Sequence, residues 1–95
     1  MSIKVEVKYV LKQNQRDNFY GAIVKQGIDV AAQNENGNIK YDFEIPTNEK
    51  DILYLHEIWA DAESLKAHGE MPHYKALALL KAEYVEETII DKTEE

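Results

Sequence analysis

Between Ile3 and Leu11 every second residue is apolar: Ile3, Val5, Val7, Tyr9 and Leu11 alternate with Lys4, Glu6, Lys8 and one exception, Val10. A period of two over this length predicts a half-buried strand. Asn14 then offers an N-cap with Asp17 three positions on, a variant of the capping box. Phe19, Tyr20, Ile23, Val24, Gly27, Ile28 and Ala31 follow at helical spacing and predict one helix from about Gln15 to about Ala32. Gly21 and Gly27 weaken it by about 1 kcal/mol each if exposed; close packing on a sheet, or a kink near Gly27, accounts for them. The stretch 33–37 is a polar stop whose Asn36-Gly37 suits left-handed backbone. Ile39, Tyr41, Phe43 and Ile45 alternate with Lys40, Asp42 and Glu44 as a second strand, and 46–51 form a short loop. The run 52–59 is apolar on both parities, which predicts a strand covered on both faces. Asp61 caps a helix that ends at Gly69, and Pro72 opens another through Tyr84. A last strand runs from Val85 to Asp91, and 92–95 read as a frayed charged tail. The order β-α-β-β-α-β, with an antiparallel sheet and helical segments on one face, is an α+β, ferredoxin-like arrangement. One helical layer covers only one sheet face, so the two-sided strand predicts a partner subunit.

Composition adds limits. The chain of 95 residues is 44% hydrophobic and 31% charged, as for one ordinary globular domain. It has no Cys, hence no thiolate nucleophile and no cysteine zinc site. The formal charge of -7 and the lack of a basic cluster argue against nucleic acid or an anionic membrane as partner. With no long apolar run, a cytoplasmic protein is the expectation.

The chemistry-bearing residues crowd into 56–74. This stretch holds the only Trp and all three His. In chain order come Gly37 and Tyr41, then Glu57-Ile58-Trp59, then Asp61-Ala62-Glu63, then His68, then His73-Tyr74. Taken together in this order and spacing, they resemble the antibiotic biosynthesis monooxygenase family over about residues 37–77. Many members of that family carry an acidic-Pro-Gly turn before the second strand. Here the turn is Glu35-Asn36-Gly37, which keeps the Gly and loses the Pro, a change expected to affect turn stiffness more than chemistry. The resemblance implies a homodimeric α+β barrel in which two sheets pack face to face, with a pocket between helices and sheet. It also implies one of three activities: cofactor-independent oxygenation of phenols and quinols, isomerisation of small phosphorylated ketones, or haem degradation. The haem branch uses an Asn on the first strand and a His after the position of His73; this chain has neither. No cofactor is therefore expected.

Both remaining reactions need a base near neutral pH, and histidine suits it. His68 and His73 stand five apart across a Gly and a Pro, unlike the i, i+4 spacing of a helical zinc pair, so no metal is expected. His73, second in its helix, faces the positive end of the helix dipole, which favours a neutral ring and makes it the preferred base. His68 serves equally well as a helix C-cap donor. Glu57 shares a strand face with Leu53, Leu55 and Trp59 and must be paired, hydrogen-bonded or protonated. It either orients the base or is a buried structural partner. Tyr41, Trp59 and Tyr74 are expected to line the substrate pocket, although each also suits a core or interface. His56 points the other way, toward a dimer interface or a second pocket. The expectation is a homodimer that oxidises a small aromatic or quinol; carbonyl isomerisation or non-catalytic ligand binding are the alternatives.

Overall fold

The alternation at 3–11 becomes strand β1 (Ile3–Leu11), buried at every second residue, in a computed structural model that describes residues 1–95. The other elements are α1 (Arg16–Lys25), α2 (Ile28–Gln33), β2 (Asn38–Glu44), β3 (Ile52–Trp59), α3 (Ala62–His68), α4 (Pro72–Tyr84) and β4 (Val85–Glu94). The sheet order is β2-β3-β1-β4, with every neighbouring pair antiparallel. This is the expected ferredoxin-like arrangement.

The core lies between the inward sheet face and the helices. Val5, Val7 and Tyr9 of β1 and Leu53, Leu55 and Trp59 of β3 meet Phe19 and Ile23 of α1, Ile28 and Ala32 of α2, and Leu77 of α4. Phe19 meets Tyr9 edge-on, with ring centroids 5.4 Å apart. On β3, Leu53, Leu55, Glu57 and Trp59 are buried, while Ile52, Tyr54, His56 and Ile58 are half-buried. No helix covers this second set.

Three local expectations change. The single first helix is two, because Gly27 takes φ +69° and the chain restarts at Ile28 in a new direction. This conformation is open to Gly at little cost. Asn14 does not cap α1: it sits at φ +63°, its N–H donates to Asp51 Oδ1 at 2.9 Å, and Gln15 takes the cap position. The charged tail is not frayed. β4 runs on to Glu94, with Thr93 opposite Lys4 and Glu94 opposite Ile3, because the ladder to β1 satisfies the backbone while the charged side chains stay in solvent. Asp61 does cap α3, accepting the Ser64 N–H at 2.8 Å.

Gly37 permits a close approach. It sits at φ +83°, and a Cβ there would lie 2.0 Å from Ser64 Oγ and 2.6 Å from Ser64 Cβ. Its carbonyl accepts the Ala60 N–H at 2.7 Å. The α2–β2 turn is thereby laid against the first turn of α3. Gly27 has open space around its missing Cβ. Gly37→Ala is expected to lower Tm by more than Gly27→Ala: both incur about 1–2 kcal/mol of left-handed strain, but only the first also collides with Ser64. Thermal denaturation of the two variants checks the order.

Candidate active site

His68 is the last residue of α3 and, like Glu57, is buried as a whole residue. Its ring is caged by aromatic groups: Trp59 at 4.6 Å between centroids, Tyr74 edge-on at 5.1 Å and Tyr41 edge-on at 5.7 Å. Its Nδ1 does not reach the free helix carbonyls expected of a C-cap donor. It stands 2.5 Å from Oε2 of Glu35, and the same oxygen lies 2.6 Å from Nε2 of His73. The Glu35 side chain is only 5% exposed. One buried carboxylate from the α2–β2 turn thus holds imidazoles from α3 and α4. With Nδ1–H donating to Glu35, the neutral His68 ring carries its lone pair on Nε2, which has no protein partner.

His68 forms part of the wall of a cavity of about 300 Å³ between sheet and helices. Val5, Val7, Leu55, Leu65 and Leu77 make most of it apolar; Tyr9, Tyr41, Glu57 and Tyr74 add polar groups. Burial, helped by the charge of Glu57, pushes the hydroxyls of Tyr9 and Tyr41 above the ordinary phenol range, so both remain O–H donors. Burial likewise raises Glu57 above the usual carboxylate range, against the hydrogen bond that Trp59 Nε1 donates to its Oε1 at 2.9 Å.

The sequence-predicted residues divide into three groups. His68, Glu57, Tyr41 and Tyr74 line the cavity. His73 and Trp59 stand behind His68, His73 through Glu35 and Trp59 fully buried against the ring. His56 lies on the opposite sheet face, between the carboxylates of Glu6 and Glu44. Partial burial opposes its charge, but the bonds to Glu44 and Glu6 outweigh this and raise its pKa. Sequence reasoning missed Glu35, Tyr9 and Lys81. For Glu35 a signal was present: it is the acidic residue of the Glu-Asn-Gly turn.

Glu35, His68 and His73 also form a set of metal-type donors, with ligand atoms within 4.8 Å of one another. Around a tetrahedral ion with bonds of ~2.0–2.1 Å, donors stand about 3.3 Å apart. The separations of 2.5 and 2.6 Å are instead those of direct hydrogen bonds.

The family model for antibiotic biosynthesis monooxygenases matches residues 2–78. The chain belongs to this family. Among solved structures, a conserved protein from Methanosarcina mazei Go1 shares 25% identity at a TM-score of 0.88, over 100% of this chain and 93% of that one. PA3566 from Pseudomonas aeruginosa shares 14% at 0.88, covering 99% and 93%. A Nitrosomonas europaea protein provisionally named an antibiotic biosynthesis monooxygenase shares 19% at 0.87, covering 100% and 98%. At such identities the last two likenesses show the fold. Among curated proteins the sequence has no match. No helix of this family member is long and apolar enough to cross a membrane.

Glu57 provides a check on the electrostatics of this monooxygenase-family cavity. A carboxyl whose folded pKa is raised adds stability below its unfolded value of 4.5, and that stability is lost as pH rises through the folded value. Glutamine keeps an oxygen for Trp59 and never ionises. Glu57→Gln is therefore expected to melt higher than the parent at about pH 8, with the gap closing toward about pH 4. A gap independent of pH in thermal melts would contradict the assignment.

Proposed function

We propose that the protein is a monooxygenase that oxidises a small hydroxyaromatic or quinol with its own side chains as the acid–base machinery. One observation carries this reading: a histidine oriented by a buried carboxylate, with no protein partner on its other nitrogen, lines an apolar cavity together with two tyrosines whose hydroxyls have no hydrogen-bond partner. The base is His68 rather than the preferred sequence candidate, His73, because His68 reaches the cavity. Glu35 fixes its tautomer and offsets the charge of the imidazolium that forms, the part a carboxylate plays beside a catalytic histidine in other enzymes. His73 steadies Glu35 from the far side.

In this reading His68 Nε2 takes the proton of a substrate hydroxyl. The Tyr9 and Tyr41 hydroxyls donate to the resulting oxyanion, and the apolar walls keep water from quenching it. The electron-rich ring carbon reduces dioxygen and forms a C–O bond. The peroxide then loses water, leaving a carbonyl on the product. One oxygen atom enters the product and the other leaves as water, so a quinol gives a hydroxyquinone. Glu57, whose carboxyl burial biases toward the neutral form, would return a proton to the departing oxygen. Carbonyl isomerisation would draw on the same groups but consume no oxygen.

We also take the protein to be a homodimer joined through the outward sheet face. Val10, Ile52, Tyr54 and Ile58 lie half-buried there with no helix above them, and Ile89 is 46% exposed. The His56 bridge to Glu6 and Glu44 would sit inside that contact.

Oxygen uptake with a panel of hydroquinones and anthrones tests the activity. His68→Ala is expected to lower the rate at least about 100-fold, the usual scale for losing a general base, measured in protein that circular dichroism shows to be folded, although Tm falls because Glu35 loses one of its two partners. Glu35→Gln should lower it less and shift the pH–rate profile. Uptake that survives His68→Ala, or no uptake with any compound, counts against the reading. Sedimentation at micromolar concentration should give a dimer; a monomer rejects the interface.

A further inference from the structure

The cavity is chemically lopsided. Its acid–base groups, Tyr41, Glu57 and His68, lie toward β2 and β3. On the other side it is lined by Ile90 and the exposed Lys92 of β4, and by Lys81 of α4, which lies over Tyr9 of the neighbouring β1. In the sheet, Glu57 pairs with Val5 and Val5 with Lys92, so the lysine stands two strands from the carboxyl. At 4.7–4.9 Å per strand this is about 10 Å. A one- or two-ring molecule spans that distance.

Neither lysine is committed elsewhere. The carboxylate pairs within 4.0 Å involve Lys4, Arg16 and the histidines, never Lys81 or Lys92, in a chain with 18 acidic residues. A lysine that only covers apolar surface carries its ammonium out to solvent. Lys81 does not: its Nζ stays 5.7 Å from the centroid of the Tyr9 ring, which itself lines the cavity. Burial holds its pKa below the ordinary lysine value. A half-buried cation with no counter-charge is costly unless something else supplies one.

We infer that the β4 side of the cavity is an anion subsite, in which Lys81 and Lys92 hold the carboxylate or phosphate of an amphipathic hydroxyaromatic whose hydroxyl end lies against His68. This rests on the proposed function for the orientation of the substrate. The anion subsite itself rests only on the cavity and its two lysines. The bound anion would restore the missing counter-charge, and the aromatic body would lie along the apolar walls between the two ends.

Calorimetric titration without oxygen, so that nothing turns over, tests it. The probes are gentisate, hydroquinone monophosphate and the neutral gentisyl alcohol. At least one anion is expected to bind about ten-fold tighter than the alcohol, the scale of one charge-assisted contact. Which anion prefers the site identifies the group. The preference is expected to fall to within about two-fold in Lys81→Met/Lys92→Met, to persist in Lys81→Arg and to weaken with added salt. Equal binding of anions and alcohol, no binding of any probe, or an undiminished preference in the folded double variant overturns the inference. Failure of oxygen uptake in air would remove the oxygenase reading while leaving an anaerobic anion preference intact.

Discussion

A single oxygen of Glu35 ties three segments together. The carboxylate is almost wholly buried, and a buried carboxylate is tolerable only when its acceptors are filled. His68 and His73 fill Oε2, and in doing so fix the turn after α2, the end of α3 and the start of α4 relative to one another. Other features follow from that need. Gly37 lets the turn lie close enough to α3 for Glu35 to reach under it. Gly27 bends the first helix so that α2 delivers the turn from the right direction. Trp59, held by Glu57, forms the flat wall against which the His68 ring rests.

The sheet keeps two chemistries apart. Because side chains alternate along β3, Glu57 faces the cavity while its neighbour His56 faces out. The inward carboxyl is pushed toward its neutral form by burial. The outward histidine is pushed toward its charged form by two carboxylates. Two titratable groups one residue apart are thus biased in opposite senses by which face they occupy. The cavity is graded in the same manner across the sheet, from Tyr41 and Glu57 on β2 and β3 to Lys81 over β1 and Lys92 on β4.

Membership of the monooxygenase family and the solved structures that share the fold set the architecture. They do not select a substrate. Selection rests on residues such as Tyr9, Lys81 and Lys92, which belong to no recognisable motif and become meaningful only as cavity lining.

Periodicity along the chain determined the strands, the order of elements and the buried side of β1 and β3, because a side-chain period of two leaves little freedom once one face is apolar. The cluster of Trp59, His68, His73 and Tyr74 also stood out in the sequence. Tertiary structure alone decided which histidine reaches the cavity. That outcome depends on where Glu35 arrives, and Glu35 is 33 residues from His68 along the chain. The break at Gly27 and the left-handed Asn14 were equally out of reach, since helical spacing continues through both and only packing selects the bend. The pairing of β4 to its end was hidden for the converse reason. Backbone hydrogen bonds to β1 hold it in place, and those leave no mark on the pattern of apolar side chains.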